Sequence, residues 1–389
     1  MISLKLYLLI LFIIKFALDS LSPFREFNFI ILNSMCIFII IVHPKLISSI
    51  DKREWIGCVI YFISCGVGLA TGGNFDTYIK FVSLILLFIT VRSIAVNIPT
   101  INLIWISEKA FLSIIALLFM NFCISLVVAD PLSRIFYNFE HSNLLGTYAL
   151  LSLPFLYVII PFKMGVFKLK LLVSLMALAT TSTGSFLSSL FIYTDFKKIS
   201  ARSIIAWLFY ISFAFFCLYY FLLYFSPVFF IKIFGPFKAL INEGVDTMVY
   251  AANYQIRIQD LDENYQGSLA WRIYAYIVFI GFILDQNIFN IFFGSGFNGF
   301  EKVWGGIAPH NDFILILIDL GLIGFLLFLL ILFKAFYWIV RFQTYMLPLM
   351  IVLFLRLSFE NNIYSFYIAS SLVMSAALIY SFSLRLGNK

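Results

Sequence analysis

His310, Asn311 and Asp312 stand together at the mouth of an otherwise apolar run, Ala308 to Gly324 (APHNDFILILIDLGLIG). His310 is one of only 3 histidines in 389 residues. An imidazole titrates near neutrality, so it can take a proton from a hydroxyl or donate to a phosphate. If the apolar run is a helix, its first amides also present positive potential to a bound anion. The stretch upstream supplies cations, Arg257 (NYQIRIQD) and Arg272 (LAWRIYAY). A guanidinium is permanently charged, and its planar fork of donors matches phosphate oxygens. Asp260, Asp262 and Glu263 lie close enough in sequence to pair with Arg257. Arg272 has no acid in the apolar run that follows it, and an unpaired arginine there is costly, which makes it the stronger anion ligand.

Other polar residues form smaller groups. Asp319 lies about two and a half helical turns below His310. A carboxylate inside a membrane span is a functional candidate, or else bonds a polar neighbour. Arg134, His141 and Asn143 (DPLSRIFYNFEHSNLLG) repeat the theme of a His and an Asn just ahead of an apolar helix. Arg356 and Glu360 are four residues apart and can pair. Lys15 and Lys80 can extend outward along apolar surface, and Arg92 inward. Gly294-Ser295-Gly296 has neither a strand before it nor a lysine after it, so a tight turn fits it better than a phosphate loop. Gly321 and Gly324 read as helix-packing positions. The cysteines all fall in apolar runs without a C-x-x-C spacing and read as small core hydrophobes. No Asp-x-Asp motif suits a hydrated divalent ion, so neither a metal nor another cofactor is expected.

The elements that hold these groups follow from composition. The chain is 63% hydrophobic and 12% charged, with mean hydropathy +1.03. A soluble fold of this size could not cover that much apolar surface, and repeated long apolar runs mark an all-α polytopic membrane protein. Expected spans are about 12, near residues 4–18, 27–42, 55–70, 78–96, 110–129, 144–161, 171–181, 185–196, 204–225, 310–333, 344–358 and 363–383. The first run follows a single lysine and ends at Asp19 without a small-residue cleavage site, so it reads as a span.

Charge fixes the sidedness. With both termini cytoplasmic, the inner connections carry Lys45, Lys52, Lys168, Lys197, Lys334 and Arg341, whereas the short outer ones carry Arg25, Lys80 and Arg134. The net charge of +7 is therefore a topology signal and not a nucleic-acid footprint. This balance favours a short hairpin over one continuous helix across 171–196, broken at Thr181-Ser182-Thr183-Gly184-Ser185. It also makes 269–284 a helix lying in the outer interface, inside one long outer loop over 226–309. The aromatic and aliphatic content of that loop argues for order. No second soluble domain interrupts the single membrane domain.

In these places the chain resembles the bacterial O-antigen ligase and polymerase superfamily, which includes the Wzy-type polymerases. The matching elements are His141-Ser142-Asn143-Leu144-Leu145-Gly146, the break Thr183-Gly184-Ser185, the loop with Arg272 ahead of Gly294 and Gly296, and His310-Asn311 followed by Asp319, Gly321 and Gly324. The resemblance covers roughly residues 130–335. It departs in two places: Phe186 stands where an arginine is common, and Asp319 stands where the family usually has Glu.

The resemblance implies a metal-independent, inverting glycosyl transfer at the periplasmic face of the bacterial inner membrane. The donor and acceptor would be oligosaccharides linked to undecaprenyl diphosphate. Arg272 and His310 would be catalytic. Arg257 would join Arg272 on the diphosphate. Beside the resemblance, Arg134, His141, Asn143, Asn311 and Arg356 are read from their places at the expected outer ends of spans as binding diphosphate or glycan. The expected activity is an O-antigen polymerase, which allows a chain-length-regulating co-polymerase as a further partner. The alternative within the family is the ligase that delivers polymer to lipid A-core. A lipid-linked oligosaccharide flippase is a rival of another class, but it predicts inverted repeats and short outer loops, and the sequence shows neither.

Overall fold

The computed structural model describes residues 3–20, 25–128, 142–162, 166–179, 183–194, 246–256, 268–303, 309–342, 344–360 and 365–387, with isolated positions between 213 and 230. Among them the chain is helical and carries no strand. The long helices are α1 (Leu4–Ser20), α2 (Arg25–Val42), α3 (Lys52–Ala70), α4 (Phe75–Asn97), α5 (Thr100–Val128), α6 (Ser142–Leu150), α7 (Leu153–Ile159), α8 (Val166–Ala179) and α9 (Thr183–Leu190). They are followed by α10 (Asp246–Asn253), α11 (Ser268–Leu284), α12 (Ile288–Phe293), α13 (Asp312–Phe342), α14 (Leu347–Phe359) and α15 (Phe366–Gly387).

Six helical segments among the described residues are long and apolar enough to cross a membrane: Lys52–Ala70, Phe75–Asn97, Thr100–Ile124, Leu145–Phe162, Asp312–Tyr337 and Phe366–Arg385. Four expected runs appear as shorter apolar helices at Phe27–Val42, Gly184–Tyr193, Ala270–Leu284 and Thr344–Ser358. The expected run 204–225 lies almost wholly outside the described residues.

Local chemistry sets the boundaries. Asp51 and Glu54 form a capping box at the start of α3, and the Asn74 side chain accepts from Asp76 N to start α4. Pro99 forces Ile98 into an extended conformation, which ends α4, and α5 begins immediately after it. The single run expected at 144–161 is two helices. Pro154 has no N–H to donate and its ring crowds the preceding turn, so α6 stops at Leu150 and α7 starts at Leu153.

Residues 166–194 form a hairpin. Lys170 Nζ donates to Ile192 O at 2.7 Å, a pair that a continuous helix would hold about 33 Å apart. Tyr193 OH and Ser174 Oγ, 3.2 Å apart, close the same turn.

The main core joins α1, α2, α4, α5, α6, α7, α14 and α15, with Phe12, Phe16, Phe155, Tyr148 and Phe382 nearly fully buried. A second core lies where the long loop meets the bundle: Met248, Ala270, Tyr274 and Phe279 pack with Val303 and with Ile318 of α13. Helices α4 and α15 run parallel. Phe366 lines a cleft with Lys80 and Leu84 at one end, the Tyr380 ring lies 6.5 Å from that of Phe88, and Arg385 donates to Ala95 O and Val96 O at the other. Helix α3 presents Ile56, Val59, Phe62 and Ile63 outward, as a face toward hydrocarbon requires.

Helix α13 is interrupted. Gly321 has φ +65° and ψ −171°, outside helical space. The carbonyls released there accept from the loop: Ser295 N bonds Ile318 O at 2.7 Å and Gly296 N bonds Asp319 O at 3.2 Å. A Cβ on Gly321 would overlap Gly294 N and the Phe292 carbonyl, and a left-handed φ already disfavours any L side chain. Gly321 was expected only as a packing position; it is the break itself. Residues 322–342 alone give about 31 Å of helix, enough to cross a bilayer. The segment 312–320 is therefore a piece separate from the helix beyond the break.

One expected cation placement is corrected. Lys15 does not extend outward. It is fully buried, ion-paired with Asp19 one turn on, and donates to Tyr367 O at 2.7 Å. Asp19 also accepts from Asn28 Nδ2 and from Tyr148 OH, so the buried charge has a complete set of partners within reach and gains nothing by leaving. Lys80 pairs with Asp76 at 2.6 Å near the start of α4. Arg92 pairs with Glu54 at 2.8 Å.

Candidate functional site

Three of the cations and imidazoles singled out in the sequence meet at one carboxylate. Glu360, just past the end of α14, lies with Oε1 2.8 Å from Arg272 Nη2 and 3.9 Å from Arg356 Nη2. Its other oxygen is 3.5 Å from His310 Nδ1, at the outer limit of a hydrogen bond. The members differ in access: the side chains of Glu360 and Arg356 are 5% and 4% exposed, Arg272 is 15% and His310 is 31%. His310 is thus the member an incoming molecule reaches first.

Each group is held by its own element. Arg272 sits in the first turns of α11, and Tyr276, four residues on and on the same face, donates to Ser358 O at 2.9 Å. Tyr274 OH fixes the other side of α11 to Ile256 O at 2.8 Å. Arg356 projects from the last turn of α14 into the bundle. Its Nε and Nη2 donate to Thr147 Oγ1 of α6 at 2.9 and 2.6 Å. Gly184, in the first turn of α9, lies close against Arg356: a Cβ there would come 3.3 Å from Arg356 Nη1, tighter than an ordinary contact. The Thr-Gly-Ser break therefore lies against a site cation, and the amide end of α9 adds positive potential beside it.

His310 follows Pro309 and has φ +48°. Asn311 Oδ1 accepts from Phe313 N at 2.9 Å and Ile314 N at 3.2 Å, capping α13. Its role here is to start the helix that follows His310. Asp312, fully buried, also bears on Arg356 electrostatically.

Burial alone would push the Glu360 carboxyl up. The nearby His310 imidazole and the charges of Arg356 and Arg272 outweigh it and hold Glu360 below the ordinary glutamate value. Two guanidiniums, one glutamate, one aspartate and an imidazole make a compact site in which an added anion competes with Glu360 for the arginines.

Some expectations need restating. Arg272 was expected to lack an acid partner; it has one in Glu360, which local sequence could not show because the two are 88 positions apart. Arg356 and Glu360 were expected to pair with each other. They are within 3.9 Å, but the shorter contacts of Arg356 are to Thr147. Asp319 faces the loop and not the site: its carboxylate accepts from Gly299 N at 2.9 Å and Asn298 N at 3.3 Å. Arg257, Arg134 and His141 lie outside the described residues, and Asn143 belongs to the first turn of α6, one turn before Thr147, with its side chain outside them. Thr147, Tyr276 and the central place of Glu360 were missed, since an isolated Thr or Tyr in an apolar run carries no sequence signal.

Among the described residues, no three His, Cys, Asp or Glu side chains gather as metal ligands would. No family model matches the chain, and no curated protein is significantly similar to it.

Proposed function

We propose that this protein is a glycosyltransferase of the O-antigen polymerase type. It would extend a glycan held on undecaprenyl diphosphate in the bacterial inner membrane, with about 12 spans, cytoplasmic termini and the site facing the periplasm. The observation that carries this reading is the convergence of Arg272, Arg356 and His310 on Glu360 at one end of an apolar helical bundle.

The chemistry is a displacement at the anomeric carbon. The acceptor hydroxyl oxygen forms the new bond, and the bond from the anomeric carbon to the diphosphate breaks with inversion. The leaving diphosphate keeps the electron pair, and Arg272 and Arg356 stabilise the charge that develops on it. His310, oriented through Nδ1 by Glu360, takes the acceptor proton on its other nitrogen. The diphosphate draws Arg272 from Glu360, leaving the carboxylate to support the imidazolium. Polar side chains in a site walled by apolar helices are worth more to such charge than they would be in water.

The test is the lipopolysaccharide of a strain in which the gene is deleted and then restored with variants. Loss of the protein should leave one repeat unit on the core. His310→Ala and Arg272→Ala should reproduce that pattern at normal protein level. Unattached polymer on the lipid carrier would identify a ligase instead, and a normal ladder in both variants would remove the catalytic assignment. A reporter fused after Asp262 should be active only in the periplasm.

A further inference from the structure

A second polar feature lies at the same end of the bundle. A cleft of about 300 Å³ opens between the first turns of α4, the 298–300 turn and the start of α15. Asn74, Thr77, Lys80, Asn298, Phe300 and Phe366 line it. Lys80 is neutralised by Asp76 at 2.6 Å, also on the cleft wall. A cancelled charge is a poor lure for a phosphate.

What the cleft offers is amides and a hydroxyl beside phenyl rings. Both amides are held in place: Asn74 Oδ1 accepts from Asp76 N at 2.8 Å, and Asn298 Nδ2 donates to Glu301 at 3.1 Å. Phe300 and Phe366 are both partly exposed. Fixed polar groups around an apolar floor suit a ligand with a hydroxyl rim and a C–H face, which describes a pyranose.

The cleft is coupled to the site by the chain. Asn298 N bonds Asp319 in the outer segment of α13, whose first turn follows His310. Phe366 is six residues after Glu360, so the two Cα atoms are at most about 22 Å apart. That is within the span of a short oligosaccharide.

We propose that this cleft is a saccharide subsite that holds an uncharged pyranose of a glycan whose reacting end lies at His310. The inference rests on the glycosyl-transfer reading and adds the place where the sugar chain is gripped.

The full chain in lipid nanodiscs is tested by saturation-transfer NMR with the methyl glycosides of glucose, galactose, mannose, rhamnose and N-acetylglucosamine. At least one glycoside should receive saturation from the wild type. Thr77→Trp, which fills the cleft, should weaken that transfer at least tenfold. Lys80→Ala removes only a partly exposed ion pair, leaves folding intact, and should keep the transfer within about twofold of wild type. Silence from all five glycosides, or equal transfer in the wild type and Thr77→Trp, overturns the subsite. Inorganic pyrophosphate, followed by phosphorus NMR, reads the arginine site separately. Pyrophosphate binding with no glycoside binding refutes the cleft alone. Glycoside binding lost in Thr77→Trp, with no pyrophosphate binding, keeps the cleft and refutes the transfer reading.

Discussion

Replacing Thr147 with Val isolates the support of Arg356 from the arginine itself. The two side chains have nearly the same shape, so packing in α6 is kept while one oxygen is lost. That oxygen accepts from Arg356 Nε at 2.9 Å and Nη2 at 2.6 Å. A hydrogen bond to a charged group contributes about 1.5–3 kcal/mol, and two donors on one oxygen share its lone pairs, so the loss should be about 2–3 kcal/mol. If Arg356 stabilises the leaving diphosphate, the same figure lowers kcat/KM by about 30- to 150-fold. The assay is extension of a lipid-linked oligosaccharide by the purified chain, with thermal unfolding measured alongside. Thr147→Ser keeps the oxygen and should stay within about threefold of wild type. Inhibition by pyrophosphate should weaken in Val and recover in Ser, which a purely structural defect would not produce. The reasoning is refuted if Thr147→Val keeps full kcat/KM while Arg356→Ala loses it.

Arg272→Lys should remain impaired by at least about tenfold, because an ammonium cannot reproduce a planar fork on phosphate oxygens; full activity in the same extension assay would argue for a plain charge role. Gly321→Ala should lower stability by at least about 2 kcal/mol, since the φ of +65° and the overlap with Gly294 both act against it; unchanged thermal unfolding would deny the break. Glu360 is held below its ordinary value, so its contribution to stability is present at neutral pH and disappears as pH falls through the depressed folded value, below the unfolded value of about 4.3. Thermal unfolding scanned from pH 7 to pH 3 should show a loss in the wild type that Glu360→Gln reduces, and identical profiles would disprove the linkage.

Much of this arrangement was readable from residue order. Long apolar runs gave most helices within a few residues, although α5 begins at Thr100, ten residues ahead of the run expected at 110–129. The chain folds back near 171–196, as expected, and Lys170 on Ile192 O holds the two helices together. His310 at a helix entrance and Arg272 as its companion were both visible. Their common partner was not. Glu360 was read only against Arg356, its neighbour at helical spacing, because contacts such as Arg272–Glu360 depend on how distant helices pack. Thr147 was silent for the same reason. Lys15 misled because a lone lysine near a helix end ordinarily reaches for water, and only the fold supplies Asp19, Asn28 and Tyr148 around it. Gly321 misled because a glycine in an apolar helix usually admits a neighbouring helix, whereas here it admits a loop backbone.

That discontinuity gives the protein two mechanically distinct pieces in what hydropathy shows as one rod. The piece carrying His310 takes its bearing from Ser295, Gly296 and Asn298, and not from the hydrocarbon-crossing portion beyond Gly321. A bilayer that thickens or thins re-tilts the lower portion. The break at Gly321 lets the helix beyond it tilt without carrying along the backbone that leads back to His310.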